Sequence, residues 1–362
     1  MAAVSDPRVE RYARLIVERS LDVQPGWQVL IRTTPLARPL LEEAARAIAR
    51  RGAYAVVRVG WTMWPLDYVW AAAAPEELLA TLPDIDLYAC DRMDARITIE
   101  APENTRAGSE LPPERLALAK QAERAFFRRS MADEIAWVGC QYPTQALAQD
   151  AGLPLRDFED VLYGACLVDW DAEAERMRRY AERFEAAREV RIVGHGTDLG
   201  LSLDGRGCEV DDGRNNLPGG EVFTAPLEDS AEGVIEFSEL PAVYQGQEFA
   251  GIRLVFRAGR VVEASAAKGE EMLLSILDRD PGVRGIGELG IGCNPGITRC
   301  MRNTLFDEKI DGSVHLALGQ SYAKLGGTNV SSVHWDIVKD LRAGGRLELD
   351  GEVVQEEGRW LV

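Results

Sequence analysis

The chain has only three histidines, His195, His315 and His334, and two of them stand near carboxylates in a spacing that suits metal binding. The segment Ser331-Ser-Val-His-Trp-Asp-Ile-Val338 alternates strictly. Ser332, His334 and Asp336 fall on one side, and Val333, Trp335 and Ile337 on the other. Residues two apart on a strand share a face, so His334 and Asp336 can converge on one point. On a helix they would diverge. Taken alone, His-x-Asp equally describes an imidazole hydrogen-bonded to its neighbour. His315, in Val314-His-Leu-Ala-Leu318 after the turn Asp311-Gly312, reads either as a buried core histidine or as a further ligand. Neutral imidazole and carboxylate are the donors expected for Zn²⁺, Co²⁺ or Fe²⁺.

Two glutamates have unusual neighbours. Glu221 follows Leu217-Pro-Gly-Gly220 and opens Glu221-Val-Phe-Thr224, while Glu288 sits in Gly285-Ile-Gly-Glu-Leu-Gly-Ile-Gly292. Glycines let the backbone pack close around a carboxylate, as a ligand beside a cavity requires. The alternatives are an exposed edge-strand position for Glu221 and a solvent-facing turn for Glu288. Tyr322, seven residues after His315, is either a hydroxyl donor to a developing oxyanion or a core aromatic with its hydroxyl at the surface. His195 lies between two glycines and reads as a structural residue in a turn.

These residues need elements to hold them. An amphipathic helix is expected over 5–20, with Tyr12, Leu15, Ile16 and Leu21 on one period. Strands follow at Gln28–Arg32, Ala53–Val59, Asp86–Cys90 and Glu134–Val138, alternating with helices at 36–51 and 113–130. That order predicts a Rossmann-like parallel α/β sheet covered on both faces. No GxGxxG or Walker sequence follows these strands, so this half reads as structural or dimerising. Residues 170–188, dense in Glu and Arg, read as a solvent-exposed connecting helix. Beyond it, short strands and tight turns dominate, at 189–193, 199–203, 221–224, 233–237, 252–256 and 261–264, with a hairpin turn at Ala258-Gly259. A helix is expected at 268–279 and further strands from 284. The boundary is placed near 187. It separates an N-terminal α/β domain (1–187) from a C-terminal mixed or antiparallel α+β domain (188–362) that carries the metal-binding residues.

The 59 acidic and 41 basic residues give a net charge of −18, which repels nucleic acid and anionic membranes. Among the six cysteines no pair has CxxC spacing, so they read as buried thiols of a reducing compartment. The opening Met1-Ala-Ala-Val-Ser-Asp-Pro-Arg lacks an apolar leader core, and no apolar run approaches the roughly 18 residues of a membrane span. A cytoplasmic protein is expected.

Several stretches together carry a resemblance: Asn216-Leu-Pro-Gly-Gly-Glu-Val-Phe-Thr224, Gly287-Glu-Leu-Gly-Ile-Gly292, Asn303-Thr-Leu-Phe-Asp-Glu-Lys309, His315-Leu-Ala-Leu-Gly319 and His334-Trp-Asp336. With Tyr12-Ala-Arg-Leu-Ile16, the Val23-Gln-Pro-Gly26 turn and Gly196-Thr-Asp-Leu199, the chain resembles the M29 thermophilic aminopeptidases of the aminopeptidase T and aminopeptidase S type. The resemblance implies metal ligands at Glu221, Glu288, His315, His334 and Asp336, with Glu288 and Tyr322 in catalytic roles. It further implies two divalent ions (Zn²⁺ or Co²⁺), a peptide substrate and a homodimer. Two ions sharing a bridging carboxylate lower the pKa of a water to about 7, giving a nucleophile at neutral pH. Two other readings stay open. His315, His334 and Asp336 also match the two-histidine, one-carboxylate set of a mononuclear Fe(II) ring-cleaving dioxygenase of the 2,5-dihydroxypyridine type. The scaffold could also serve a non-enzymatic binding protein.

Overall fold

A strand buried on both faces favours a continuous apolar run, which Val29-Leu-Ile31 supplies, whereas the covered Ala95, Ile97 and Ile99 alternate with Arg96 and Thr98, polar residues that are also buried. In the computed structural model, which describes residues 6–62, 67–108 and 110–361, they lie inside a five-stranded parallel sheet. Strands Gln28–Thr33, Tyr54–Val59, Ala95–Glu100 and Ala136–Gln141 pair in the order second, first, third, fourth, and Asn216–Leu217 adds a short last strand. Helices Arg38–Arg50 and Pro113–Met131 connect successive strands. The first compact unit takes the chain up to Leu167 together with Gly213–Leu217, and the second takes Val168–Asp212 and Pro218 onward.

Three expectations change in detail. Asp86–Cys90 is not a strand but part of helix Asp84–Arg92, and the third strand is Ala95–Glu100. The local chemistry explains the exchange. Asp84 and Asp86 sit in the first helical turn, where negative charge complements the helix dipole, while Ala95–Glu100 carries three consecutive β-branched residues, Ile97-Thr-Ile99. The opening helix is α-helical over Pro7–Arg14 and widens to a π-helix over Leu15–Ser20. Tyr12, Ile16 and Leu21 are buried but Leu15 is only half-buried, and Ser5 lies outside the described residues. Helix Trp170–Ala186 is not an exposed connector. Trp170, Ala174, Met177, Ala181 and Phe184 make a buried stripe at helical spacing that the surrounding Glu and Arg residues obscure in the sequence.

The second unit is built from two large antiparallel sheets and a two-stranded ribbon, Ala242–Tyr244 with Gln247–Phe249. The larger runs Arg260–Ser265, Ile252–Arg257, Glu232–Phe237, Thr197–Ser202, Glu189–Gly194, Arg346–Leu349, Glu352–Glu356 and Arg359–Trp360 from edge to edge. Ala258 and Gly259, both at positive φ (45° and 75°), turn its hairpin between Ile252–Arg257 and Arg260–Ser265, as a two-residue turn of matching twist requires. The smaller sheet runs His334–Asp340, Ser313–Gly319, Ile286–Gly292, Glu221–Thr224 and Cys208–Asp211. Apolar residues of both sheets and of helix Trp170–Ala186 meet in one core.

Trp335 anchors that core. It is 1% exposed and its ring lies 4.8 Å from Phe249 and 5.1 Å from Tyr244. Trp335→Ala is expected to cost about 3–5 kcal/mol, read as a lower urea midpoint at an unchanged denaturant slope.

Candidate metal centre

The smaller sheet sorts its side chains by alternation. Val222, Leu289, Ile291, Val314, Leu316, Leu318, Trp335 and Ile337 point into the core. Residues of the opposite parity carry the polar chemistry: Glu221, Glu288, His315, His334 and Asp336. The register brings them together. Glu288 pairs with Ala317, which pairs in turn with Asp336. His315 lies one rung along, between Gly290 and Val338, while Glu221 pairs with Gly292 and His334 with Gly319. Gly290 is needed here, because a Cβ would overlap the His315 imidazole. The ring therefore leans over the bare backbone of the neighbouring strand and reaches between Glu221 and Glu288.

The side chains form two groups that share one member. Glu221, Glu288 and His315 can place one ligand atom each within 4.8 Å of one another, as can Glu288, His334 and Asp336. His315 Nε2 is 3.3 Å from Glu221 Oε2 and 3.5 Å from Glu288 Oε1. His334 Nε2 is 3.2 Å from Glu288 Oε2 and 3.5 Å from Asp336 Oδ1. Each group thus offers two carboxylates and one imidazole, and Glu288 turns one oxygen to each.

Second hydrogen bonds fix the rings. His315 Nδ1 lies 2.9 Å from the Glu308 carbonyl and His334 Nδ1 2.8 Å from the Gln320 carbonyl. A carbonyl only accepts, so both Nδ1 atoms donate and both Nε2 atoms face the carboxylates, the arrangement that orients a metal-binding imidazole. A neutral Nε2 and a carboxylate oxygen both present lone pairs. Their contacts at 3.2–3.5 Å call for a proton or a cation between them.

Glu221 is not an exposed edge residue. Its strand is flanked on both sides and its side chain is buried. Glu288 lies within a strand rather than a turn. His315 is fully buried, yet its Nε2 faces charge rather than core. Tyr322 packs its ring 5.5 Å from His334 and 5.6 Å from Phe223. His195 is exposed, 3.8 Å from Glu236, and belongs to neither ligand group.

The sequence reading assigned no role to three further charged groups. Lys309 is completely buried and its ammonium lies 3.2 Å from Glu221 Oε1, 3.8 Å from Asp211 Oδ2 and in direct contact with Glu308. Glu308 is 13% exposed and feels the charges of Lys309, Asp336 and His315. The available signal was the Asp307-Glu-Lys309 run itself, two acids and a base set one turn before the strand Ser313–Gly319.

Concentrated buried charge perturbs these groups strongly. Burial pushes the Glu221 carboxyl up to about 8 against the pull of Lys309, and raises Glu308 as well. Asp336 falls to about 2, because His334 outweighs the effect of burial. For His315, burial disfavours the imidazolium, but the Glu288 hydrogen bond and the charges of Glu221, Glu288 and Asp336 prevail and push it up to about 9. Carboxyls driven toward protonation beside imidazoles driven toward the cation mark a site short of positive charge.

The chain is similar to known proteins along nearly its whole length. A family model described as thermophilic metalloprotease (M29) matches residues 5–360. Aminopeptidase 2 of Geobacillus stearothermophilus is 28% identical, with 98% of each chain covered. The solved structure of wild-type AmpT from Thermus thermophilus superposes with a TM-score of 0.84 at 28% identity, covering 98% of this chain and 99% of that one. The 2,5-dihydroxypyridine dioxygenase of Pseudomonas putida gives a TM-score of 0.63 at 17% identity over 99% of each chain, a likeness of fold alone.

Two outcomes follow from the geometry. Gly290→Ala should displace the His315 ring and weaken divalent-metal affinity by about 10- to 100-fold, measured by competition with a chromophoric chelator, while far-UV circular dichroism stays unchanged. Because a proton occupies His315 below about pH 9, metal uptake must displace it. Affinity should therefore tighten as pH rises from 6 to 9 and level off above, with proton release detectable by a dye in weakly buffered solution.

Proposed function

The chain belongs to the M29 family of thermophilic metalloproteases, and on that premise we propose that it removes N-terminal residues from peptides using two divalent ions held by Glu221, Glu288, His315, His334 and Asp336. One observation carries the two-ion reading: Glu288 presents its two oxygens to two separate imidazoles, each of which has a further carboxylate beside it. A mononuclear site needs one such group; here there are two, with equal donor sets. Charge supports the same number. Asp211, Glu221, Glu288, Glu308 and Asp336 stand against the single ammonium of Lys309, and two divalent ions would cancel the remaining excess once the imidazoles are neutral. Mixed imidazole and carboxylate donors favour Zn²⁺ or Co²⁺.

When bound, such ions supply Lewis acidity, making a water more acidic and polarising the scissile carbonyl. The protein's own groups supply the rest. The Glu308 and Gln320 carbonyls hold the imidazoles in the tautomer that leaves Nε2 free. Tyr322 is kept protonated, because burial and the nearby carboxylates push its hydroxyl well above the usual range. It is therefore a hydrogen-bond donor at every working pH, suited to the oxygen on which negative charge develops. The buried Glu288 carboxylate stands between the two imidazoles, with one oxygen placed toward each.

A homodimer and a cytoplasmic setting belong to the same proposal. Large apolar side chains are exposed in the first unit at Tyr54, Val59, Trp61, Ile85 and Tyr88, the kind of surface a second subunit covers. All six cysteines are free thiols. Among the described residues no helix is long and apolar enough to cross a membrane.

Elemental analysis and aminoacyl-4-nitroanilide hydrolysis test the assignment. Two ions per chain are expected in the purified protein. Glu221→Gln should retain about one ion, and Glu288→Gln should weaken both and abolish hydrolysis. Full two-ion occupancy in Glu288→Gln would sink the proposal. Tyr322→Phe should keep its metal and lose about 10²–10³ in kcat, with KM little changed.

A further inference from the structure

Lys309 sits just beyond the short helix Thr304–Asp307 and its side chain reaches no solvent. Its ammonium meets oxygens from three separate stretches of chain: Glu221 at 3.2 Å, Asp211 at 3.8 Å and the adjacent Glu308. Asp211 and Glu221 pair across neighbouring strands, so the sheet register itself brings two of the carboxylates to this point. Glu221 is held from both ends, with Oε1 on the ammonium and Oε2 toward His315 Nε2. Several carboxylate oxygens converging on one buried positive charge make up the coordination environment of a small cation. The difference is that this cation is tethered to the chain.

We propose that Lys309 is a built-in cation: its ammonium fills an oxygen-lined cation position beside the Glu221–His315 group, fixes Glu221 so that only Oε2 faces that group, and limits the exchangeable ions to two. The inference rests on the two-ion reading above. Lys309 acts through Glu221 and is a positioning residue. Without the ammonium, Glu221, Glu308 and Asp211 would lose the cation they share, a costly change for charge so little exposed to water. The chain relieves it by drawing a cation from solution into the vacated space.

The test is a calorimetric titration of the full-length, metal-free protein with Co²⁺, in tetramethylammonium chloride and again in ammonium chloride. Wild type and Lys309→Arg should bind two ions in both salts. Lys309→Ala should bind three in tetramethylammonium, whose cation is too bulky for the space, and return to two in ammonium chloride, where the small cation replaces the lost side chain. Lys309→Ala that binds two ions with wild-type affinity in both salts, or one ion in both, overturns the inference, as does loss of an ion in Lys309→Arg. If Lys309→Ala is too unstable to titrate, thermal melting decides. Ammonium should raise its midpoint well beyond any rise in wild type, and an equal response in the two proteins overturns the inference. Wild type binding a single ion would end the two-ion reading. The inference would then stand or fall on whether Lys309→Ala binds one more ion than wild type.

Discussion

A carboxylate has two equivalent oxygens, and in this protein Glu288 spends one on each of two imidazoles. That division is the constraint around which the second unit is arranged. It places Glu288 on the central strand, with His315 on the next strand and the His334–Asp336 pair on the strand beyond it, both on the same side. It requires small residues along the rungs, and Gly290 and Ala317 provide them. It also requires rigid backing. Eight core-facing side chains on the reverse of the sheet, from Val222 to Ile337, bury it against the larger sheet, so the ligand positions follow the strand register rather than a loop conformation.

Keeping so many charges out of water is unfavourable unless each finds a partner. Lys309 answers part of this need, and the backbone carbonyls of Glu308 and Gln320 answer another by fixing both rings. The remaining excess of negative charge is the property from which the chemistry follows. Divalent ions bound there would offset it and would supply the Lewis acidity that makes water a usable nucleophile. Partial desolvation and the same carboxylates keep the Tyr322 hydroxyl protonated.

Much of this arrangement was legible in the sequence because strand chemistry has a period of two. Strict alternation over Ser331–Val338 put His334 and Asp336 on one face and Trp335 and Ile337 on the other, and the structure has that division. The parallel sheet of the first unit was readable from the strand–helix order. What sequence could not supply was register. Nothing local says that His315 lies across from Gly290, or that Asp211 pairs with Glu221, so the site's buried lysine passed as an ordinary charge. Local cues also misled where they conflicted. The apolar run Leu87-Tyr-Ala-Cys90 suggested a strand, but acidic residues at its start favour a helix terminus. In Trp170–Ala186 a majority of charged residues hid a complete apolar stripe.

The central claim is that one shared carboxylate holds two cations, and anomalous diffraction locates them directly. Crystals grown with Co²⁺ and measured at the cobalt edge should show two peaks flanking the Glu288 carboxylate, one against His315 Nε2 and the other against His334 Nε2. A single peak, or a pair that leaves Glu288 outside coordinating distance of either, would contradict it.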